Sequence, residues 1–334
     1  MAAIGALYTT LQDIVKRTDP NDTIAKVAEL QDKVNPIVQD MAWREGNLAT
    51  GHQVTARTSL PSLTYRKFNS GIVASKSTTE QYVETCAMLT GLSRVDTDLA
   101  KLNGNEAAYR RDEDIAFTKA FNIEMANGFF YSTTTGTPEK YQGLAPRLNV
   151  TSGNVAASQI IKADATASGA DQTSIWLIGW SPNTVYGIYP KGQRAGLQME
   201  TDLPKQLVTD ANGNQYTAWV TKWVWNLGLC VEDWRYVVRI CNIDTSAWKE
   251  DLSAGADLVM RMYDAVAAIF EMLTVQPVFY MNRACFSMFN KQLAKKGTVN
   301  LLEWLDRGGQ RVAHFLGIPI RIVDAITSTE AVVV

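Results

Sequence analysis

Apolar residues near the N-terminus recur with the spacing of an amphipathic helix. The pattern predicts one helix over residues 4–18 and a second over residues 24–40, and Asp19-Pro20 separates the two. These helices can pack on a core of their own, or they can form an arm that leaves the body of the protein. The periodicity is compatible with both arrangements.

A long helix is predicted after Asn103-Gly104-Asn105, a run of residues that favours a helix start. It extends from about residue 105 to 126 and ends at Asn127-Gly128, a pair that favours the left-handed conformation of a helix terminus. Its first half is charged and its second half is apolar. Two later stretches show the same periodicity: Ser253–Leu273 and Arg283–Lys295.

Short apolar runs and alternating stretches predict the strands. Asp210–Asn214 has the composition of a hairpin turn, and Gln81–Leu92 fits either a strand or a short helix. The helices and strands do not alternate as regular βαβ units, which indicates an α+β fold. The predicted strands lie within Asp171–Trp180, Val185–Tyr189, Ala218–Trp225, Tyr236–Cys241, Val278–Met281 and Phe315–Val323.

The stretch Trp43–Thr79 differs from the rest because apolar residues are sparse and separated by Thr, Ser, Arg and Pro. We expect Gln53–Thr58 to pair with Leu63–Asn69 in a long hairpin, with Ser59, Leu60 and Pro61 at its tip. An isolated two-stranded hairpin is only marginally stable in water. The hairpin is therefore expected to lie on something else, and another copy of the same chain is the obvious candidate.

Composition excludes several classes of protein. The 334 residues carry a net charge of −2, with 32 basic and 34 acidic residues, whereas a dedicated nucleic-acid binder normally has a basic excess. The four cysteines are widely spaced, so neither a disulfide framework nor a zinc site is expected. No secretory signal and no apolar run of membrane-spanning length is found, so a membrane partner is not expected.

Candidate chemistry is scarce, and we assign no catalytic, cofactor-binding or metal-binding residue. His52 and His314 lack the motifs that accompany catalytic histidines, and both are interpreted as structural. Asp96 and Asp98 could form a metal pair, but further ligands are missing. Lys191–Leu197 is basic and contains glycine, yet it lacks the spacing of a phosphate loop. Trp219, Trp223 and Trp225 share one strand face, which suits a core more often than a carbohydrate platform.

Several idiosyncratic motifs make the sequence resemble the major capsid proteins of tailed bacteriophages, in particular those of short-tailed phages of the epsilon-fifteen kind. The resemblance covers most of residues 20–330. It implies the Hong Kong 97-type capsid fold, in which an N-terminal arm and an extended loop accompany a peripheral domain with a long spine helix and an axial domain. The motifs are EGNLATGH, RTSLP, YRKFN, ASKSTT, DLAKLNGNEAAYR, GLAPR, IYPKGQRAGL and DWRYVVRICNID.

The resemblance implies a division of the chain into four parts, and strands around 205–245 are expected to return from the axial to the peripheral domain. The parts are an arm over 1–42, an extended loop over 43–80, a peripheral domain over 81–150 with its spine helix at about 105–126, and an axial domain over 151–334.

The implied function is that of a non-enzymatic shell subunit, which assembles with itself into hexamers and pentamers around double-stranded DNA. Portal, scaffolding and decoration proteins are the implied partners, DNA is held without sequence-specific contacts, and the shell assembles in the bacterial cytoplasm before it forms part of the virion. We expect basic residues of the loop to meet charged residues near the start of the spine helix on an adjacent subunit. The expected contacts are Arg57, Arg66, Lys67, Arg110, Arg111, Asp112, Glu113 and Asp114.

Other functions remain open at this point. An encapsulin-type nanocompartment has the same fold and holds a cargo enzyme instead of DNA. A hydrolase that uses His52 or a carboxylate pair, and a carbohydrate-binding module on the Trp219–Trp225 face, are remote alternatives. Some shells of this fold are cross-linked through a loop lysine, and Lys67 and Lys76 lie in the corresponding region, but no activating carboxylate can be assigned to them.

Overall fold

A computed structural model describes residues 35–101, 106–164, 168–200, 205–210, 212–246, 256–296, 302–307 and 310–334. The helix predicted over residues 4–18 and most of the helix predicted over 24–40 lie outside these ranges. The described helices are α1 (Ile37–Asp40), α2 (Thr97–Lys101), α3 (Glu106–Tyr131), α4 (Leu258–Ala268) and α5 (Arg283–Lys296), with 3-10 turns at Val155–Gln159 and Trp234–Tyr236.

The strands of the described ranges join into one sheet. Its main path runs in the order β12-β13-β14-β11-β5-β6-β9-β3-β2, and the shorter strands β1, β4, β7, β8 and β10 pair alongside it. The strands are β1 (Trp43–Glu45), β2 (Gly51–Ser59), β3 (Thr78–Asp96), β4 (Ile160–Lys162), β5 (Gln172–Trp180), β6 (Val185–Tyr189), β7 (Leu197–Glu200), β8 (Gln206–Thr209), β9 (Gln215–Val231), β10 (Val237–Asp244), β11 (Gln276–Met281), β12 (Leu302–Arg307), β13 (Gln310–Phe315) and β14 (Ile318–Ile322).

The core lies around β5, which is buried along its whole length. β10 and β11 pair with β5 on its two edges. Aromatic side chains from the end of α3 pack on it, Phe130 against Trp176 and Phe129 against Trp180. A strand buried on both faces reads as a continuous apolar run, and this is the pattern that SIWLIGW shows. The predicted strands at Val185–Tyr189, Tyr236–Cys241 and Val278–Met281 are present as well, and the mixed α+β class is confirmed.

The stretch Gln81–Leu92, which fitted a strand or a helix, belongs to the long strand β3. Its outer part pairs with β2, and its inner part pairs with β9 from Cys86 opposite Gly228 to Asp96 opposite Ala218. The spine-like helix α3 crosses this inner part closely. A Cβ atom on Gly91 would lie 2.9 Å from the Phe121 ring, so the absence of a side chain allows the helix to approach the sheet.

The predicted end of the long helix at Asn127-Gly128 is wrong, because α3 continues to Tyr131. Burial of Phe129 and Phe130 favours the extra turn. The last carbonyl groups are satisfied by the following turn, whose amides at Gly143, Leu144 and Ala145 donate to the carbonyls of Ser132, Phe129 and Phe130. Gly128 serves close packing, since a Cβ atom there would lie 2.9 Å from the Tyr141 hydroxyl.

The predicted hairpin within Trp43–Thr79 has the wrong partner strand. β2 pairs with Thr78–Thr85 of β3, with an irregularity between Arg57 and Ser59, and Leu63–Asn69 forms no strand. The tip is also displaced: the chain turns at Lys67–Ser70, where the Ser70 amide donates to the Lys67 carbonyl. The residue pattern of β2 predicts an extended conformation but does not identify the partner strand. The partner is β3, whose inner part belongs to the sheet through its pairing with β9.

Two predicted boundaries near the C-terminus also differ. The helix predicted over Ser253–Leu273 is described from its N-cap Asp257 and ends at Ala268, where the chain becomes extended and Phe270 lies beneath the Arg235 guanidinium. The final strand Phe315–Val323 is interrupted by a tight turn, because Leu316 and Gly317 both have positive φ. That backbone suits a two-residue hairpin, so β13 and β14 pair with each other.

Candidate assembly surface

The most exposed segment of the described chain is the outer part of the loop region 43–80. From here on, the extended loop means this outer part, residues 60–77. It connects the outer ends of β2 and β3. Large apolar side chains along it are 73% to 108% exposed, a degree that folded monomers rarely show over contiguous residues. These side chains are Leu60, Leu63, Tyr65, Phe68, Ile72 and Val73.

The extended loop has a defined internal geometry. The Arg66 guanidinium donates through Nε to the Ser70 carbonyl at 2.8 Å, and the Ser75 hydroxyl donates to the Ser62 carbonyl at 2.7 Å. Asn69 adopts φ of 64°, which lets the chain reverse at the tip. These bonds lie within the loop, and so they shape it without covering its apolar side chains.

The charge of this region has one sign. Between Gly46 and Thr79 the sequence contains no Asp or Glu, while Arg57, Arg66, Lys67 and Lys76 are all present. Each of these four side chains is exposed, and within the described residues none of them forms an ion pair. A surface that combines exposed apolar and basic groups is complementary to a partner that supplies apolar contacts and acidic residues.

The loop root, which we define as Thr55–Thr58 together with Tyr82 and Glu84, connects the loop to the body. The Glu84 carboxylate accepts two hydrogen bonds from Arg147, at 2.5 and 2.6 Å, and both side chains are largely buried. The Tyr82 hydroxyl contacts the carbonyls of Val231 and Glu232 at 3.1 and 3.2 Å. Sequence reasoning missed this cluster, since Arg147 and Glu84 are far apart in the chain and only the fold joins them.

His52, interpreted as structural, is buried at the start of β2. Its Nδ1 atom accepts a hydrogen bond from the Asn47 amide at 3.3 Å, which assigns the proton of the neutral ring to Nε2. Burial and the nearby Arg44 lower its pKa, against the opposing influence of Glu232 and Glu84. Its burial and its hydrogen bond to the backbone of a turn are compatible with the structural interpretation of His52. His314 is also buried, and its Nδ1 atom contacts the Val312 carbonyl.

The charged run expected to meet the loop lies on the first half of α3. Arg110 stacks on Trp219 at 4.5 Å from the ring centroid, while Arg111 is exposed. Asp112, Glu113 and Asp114 are half-buried, and burial raises the pKa of Asp114 while Arg110 opposes that shift. The loop basics and this run lie on separate elements of one chain, so a contact between them is a prediction about two copies.

The other candidate sites acquire structural roles. Asp96 accepts from the Asp98 amide, Asp98 pairs with Lys101, and the described residues contain no group of three metal-ligating side chains. In the Lys191–Leu197 loop, the Gly192 amide donates to the Glu45 carboxylate. Trp223 and Trp225 belong to the core, which confirms the packing interpretation of the aromatic face.

Across the described residues, no helix is long and apolar enough to cross a membrane. All four cysteines are free thiols, and burial raises the pKa of Cys86 and Cys230 to about 12.

The comparisons with known proteins agree with this geometry. The family model of major capsid protein GP7 matches residues 19–334. The chain is 36% identical in sequence to a chain of the solved structure of bacteriophage Epsilon15. The alignment covers 100% of this chain and 99% of that chain, with a TM-score of 0.78. A comparison with curated proteins finds no match.

Two more distant structures align loosely. The capsid of bacteriophage JBD30 is 9% identical, with 97% of this chain and 96% of that chain covered and a TM-score of 0.46. The SrpI encapsulin of Synechococcus elongatus is 12% identical, with 71% and 97% covered and a TM-score of 0.43. The assignment depends on the first two matches, which span nearly the whole chain. The protein therefore belongs to the GP7 family of major capsid proteins, has the expected Hong Kong 97-type fold, and is a structural subunit of the icosahedral shell of a bacteriophage.

Proposed function

We propose that each subunit lends its extended loop to a neighbouring copy within pentamers and hexamers of the shell. The observation that carries this proposal is the exposure of the apolar side chains from Leu60 to Val73, which would be an aggregation hazard on a free monomer. An interface that buries them removes this hazard and contributes binding free energy. The basic residues at the loop then select the partner surface by charge.

The contact that we propose joins Arg57, Arg66 and Lys67 to the run Arg110, Arg111, Asp112, Glu113 and Asp114 of the adjacent subunit. Carboxylates at 112–114 supply the charge that the loop lacks. Arg110 and Arg111 are expected to meet other groups at the same interface, since they repel the loop. Half-burial of the carboxylates within their own subunit supports a contact that adds to existing packing.

We extend the proposal to the whole virion. The division at 1–42, 43–80, 81–150 and 151–334 is supported by the long pairing of β3 with β9, through which residues near 205–245 return to the peripheral part. Portal, scaffolding and decoration proteins are the proposed partners of a shell that assembles in the bacterial cytoplasm. The net charge of −2 supports a shell that encloses double-stranded DNA without gripping it.

The proposed role is structural, without catalysis. His52 and His314 are engaged in packing, and the cysteine thiols are protonated because burial raises their pKa. An encapsulin-type shell is the second candidate, and the match to the GP7 family favours the phage capsid over it.

The loop proposal is tested by replacing Leu60–Ser77 with a short Gly-Ser linker in the full chain. The structure places this cut outside the β2–β3 pairing, so the subunit is expected to fold and remain a monomer or small oligomer. Light scattering and negative-stain electron microscopy report the assembly state. Closed shells from this variant would contradict the proposal.

The charge contact has its own test in Arg66→Glu, compared with Arg194→Glu in the exposed loop before β7. Reversal at Arg66 is expected to impair assembly while the subunit stays folded, whereas reversal at Arg194 is expected to have a smaller effect. Equal particle yields from both variants would remove the proposed role of Arg66.

A further inference from the structure

We infer that the ion pair between Glu84 and Arg147 fixes the direction in which the extended loop leaves the subunit, so that these two residues position the loop for assembly. This inference rests on the proposed role of the loop as an inter-subunit contact. Neither residue belongs to the loop or to the charged run on α3. They act at the root, where a small change of angle becomes a large displacement at the tip.

The need for such a contact follows from the shape of the root. β2 pairs with β3 alone, and from Thr55 outward its side chains are mostly exposed. A two-stranded ribbon has little stability of its own and its twist is easily changed. The direction of the loop therefore depends on a few contacts between the ribbon and the body.

Arg147 is suited to hold the ribbon because it is itself held on several sides. Beside its two bonds to Glu84, it donates through Nε to the Gly143 carbonyl at 3.1 Å and through Nη2 to the Gln142 carbonyl at 3.0 Å. The segment that carries it is bonded to the end of α3 through the Leu144 amide, which donates to the Phe129 carbonyl. The bidentate pair thus connects the ribbon rigidly to the long helix.

A groove beside the root gives the ribbon room to move. It has a volume of about 880 Å³ and separates Thr55–Thr58 from Asn154–Ala156 and from Asp233–Arg235. Packing on that side does not restrain the ribbon. The restraint comes from Val54, which packs with Tyr186 and Ile188 at the base of the ribbon, and from the contacts of Glu84 and Tyr82 nearer the loop. The side chains of Arg147 and Glu84 are only 22% and 7% exposed, which limits how far water can replace a lost partner.

The experiment measures the position of the loop directly. Spin labels at Thr64→Cys and Glu139→Cys, both exposed, report the distance between loop and body by double electron–electron resonance on the unassembled full chain. The native thiols react slowly because burial raises the pKa of Cys86 and Cys230 to about 12 and that of Cys241 to about 11, and burial also raises the pKa of Cys285.

Glu84→Gln removes the charge and keeps the size, and it is expected to broaden or shift the distance distribution and to lower shell yield by about tenfold. Arg147→Lys keeps the charge but loses the paired geometry, and a smaller change in the same direction is expected. This milder variant preserves the test if Glu84→Gln fails to fold.

A matched control comes from Asp40 and Arg321, an ion pair with side-chain exposures of 11% and 27% that lies away from the root. Asp40→Asn is expected to lower thermal stability without changing the loop distance. An unchanged distance distribution in Glu84→Gln, or an equal change of the distribution in Asp40→Asn, overturns the inference. The linker replacement of Leu60–Ser77 separates the two ideas: if it prevents assembly while Glu84→Gln assembles normally, the loop proposal stands and the positioning role is wrong.

Discussion

At the scale of single residues, Glu330 joins the C-terminal segment to three other elements of the fold. Its carboxylate accepts from Arg239 at 2.8 Å, from Ser174 at 2.5 Å and from Tyr131 at 2.5 Å, and the Arg239 and Glu330 side chains are 4% and 6% exposed. Through these bonds the C-terminal segment is fixed to β5, β10 and the end of α3. A buried charge of this kind stabilises the fold only while its partner is present.

Glu330→Ala is accordingly expected to lower the free energy of unfolding by about 3–5 kcal/mol, because Arg239 would remain buried without its carboxylate. Urea denaturation followed by circular dichroism measures the change. Asp264→Ala is the control, since its exposed pair with Arg261 should contribute below about 1 kcal/mol. A similar loss in both variants would show that Glu330 has no special role.

His52 predicts how stability depends on pH. Its folded pKa is lowered from 6.5, so the folded protein binds the proton less readily than the unfolded chain. The contribution of the neutral ring is therefore complete above the unfolded value of about 6.5 and is lost as the pH falls through the lower folded pKa. His52→Gln should be less sensitive to acidification over this window in urea titrations, and an identical slope in both proteins would contradict the assignment.

At the scale of elements, the approach of α3 to β3 depends on a missing side chain. A Cβ atom at Gly91 would lie 2.9 Å from the buried Phe121 ring and 3.3 Å from Phe117. Phe121 is buried at this crossing, whereas Gly91 and Phe117 are half-buried. Close packing at one position thus sets the distance between the long helix and the sheet.

Gly91→Ala is expected to destabilise the protein by about 1–3 kcal/mol, the usual cost of overpacking a core. Gly71→Ala in the extended loop is the control, because a Cβ atom there would contact nothing within 4 Å. Thermal unfolding of both variants provides the measurement. Equal melting temperatures would mean that the helix can shift freely over the sheet.

At the scale of the whole molecule, the exposed loop separates folding from assembly. Phe68 is 100% exposed and so contributes little to the stability of a single subunit. An aromatic side chain at the centre of an interface commonly contributes about 2 kcal/mol or more to the free energy of binding. We expect a contribution of this order from Phe68.

The double variant Tyr65→Ser and Phe68→Ser should therefore unfold within about 0.5 kcal/mol of the native subunit and yet form far fewer shells. Denaturation of the unassembled chain and particle counts by electron microscopy measure the two effects separately. Normal shells would place the loop tip outside the interface, while a large loss of stability would place it in the core of its own subunit.

Much of the local structure followed from the sequence. The buried run in β5, the hairpin turn at Asp210–Asn214 and the helix over Arg283–Lys295 were predicted from period and composition, because short-range sterics and burial patterns decide them. The turn is stabilised as its composition suggests, with Asp210 accepting from the amides of Asn212 and Asn214. The basic residues of the loop region could also be identified from the sequence, because the charge of a side chain follows from the residue type alone.

The tertiary structure decided what depends on partners distant in the chain. Only the fold paired β2 with Thr78–Thr85, carried α3 past Gly128 to Tyr131, and placed Arg147 against Glu84. Alternation along a strand specifies which face is buried but not which strand pairs with it. A helix continues past a residue pair that favours termination when burial of the next turn stabilises the fold more than the unfavourable helix propensity costs. The sequence alone thus determined the local elements, the charge of the loop and the family. Strand pairing and the ion pair at the loop root were decided by the tertiary structure, because the free energy of these contacts comes from residues far apart in the chain.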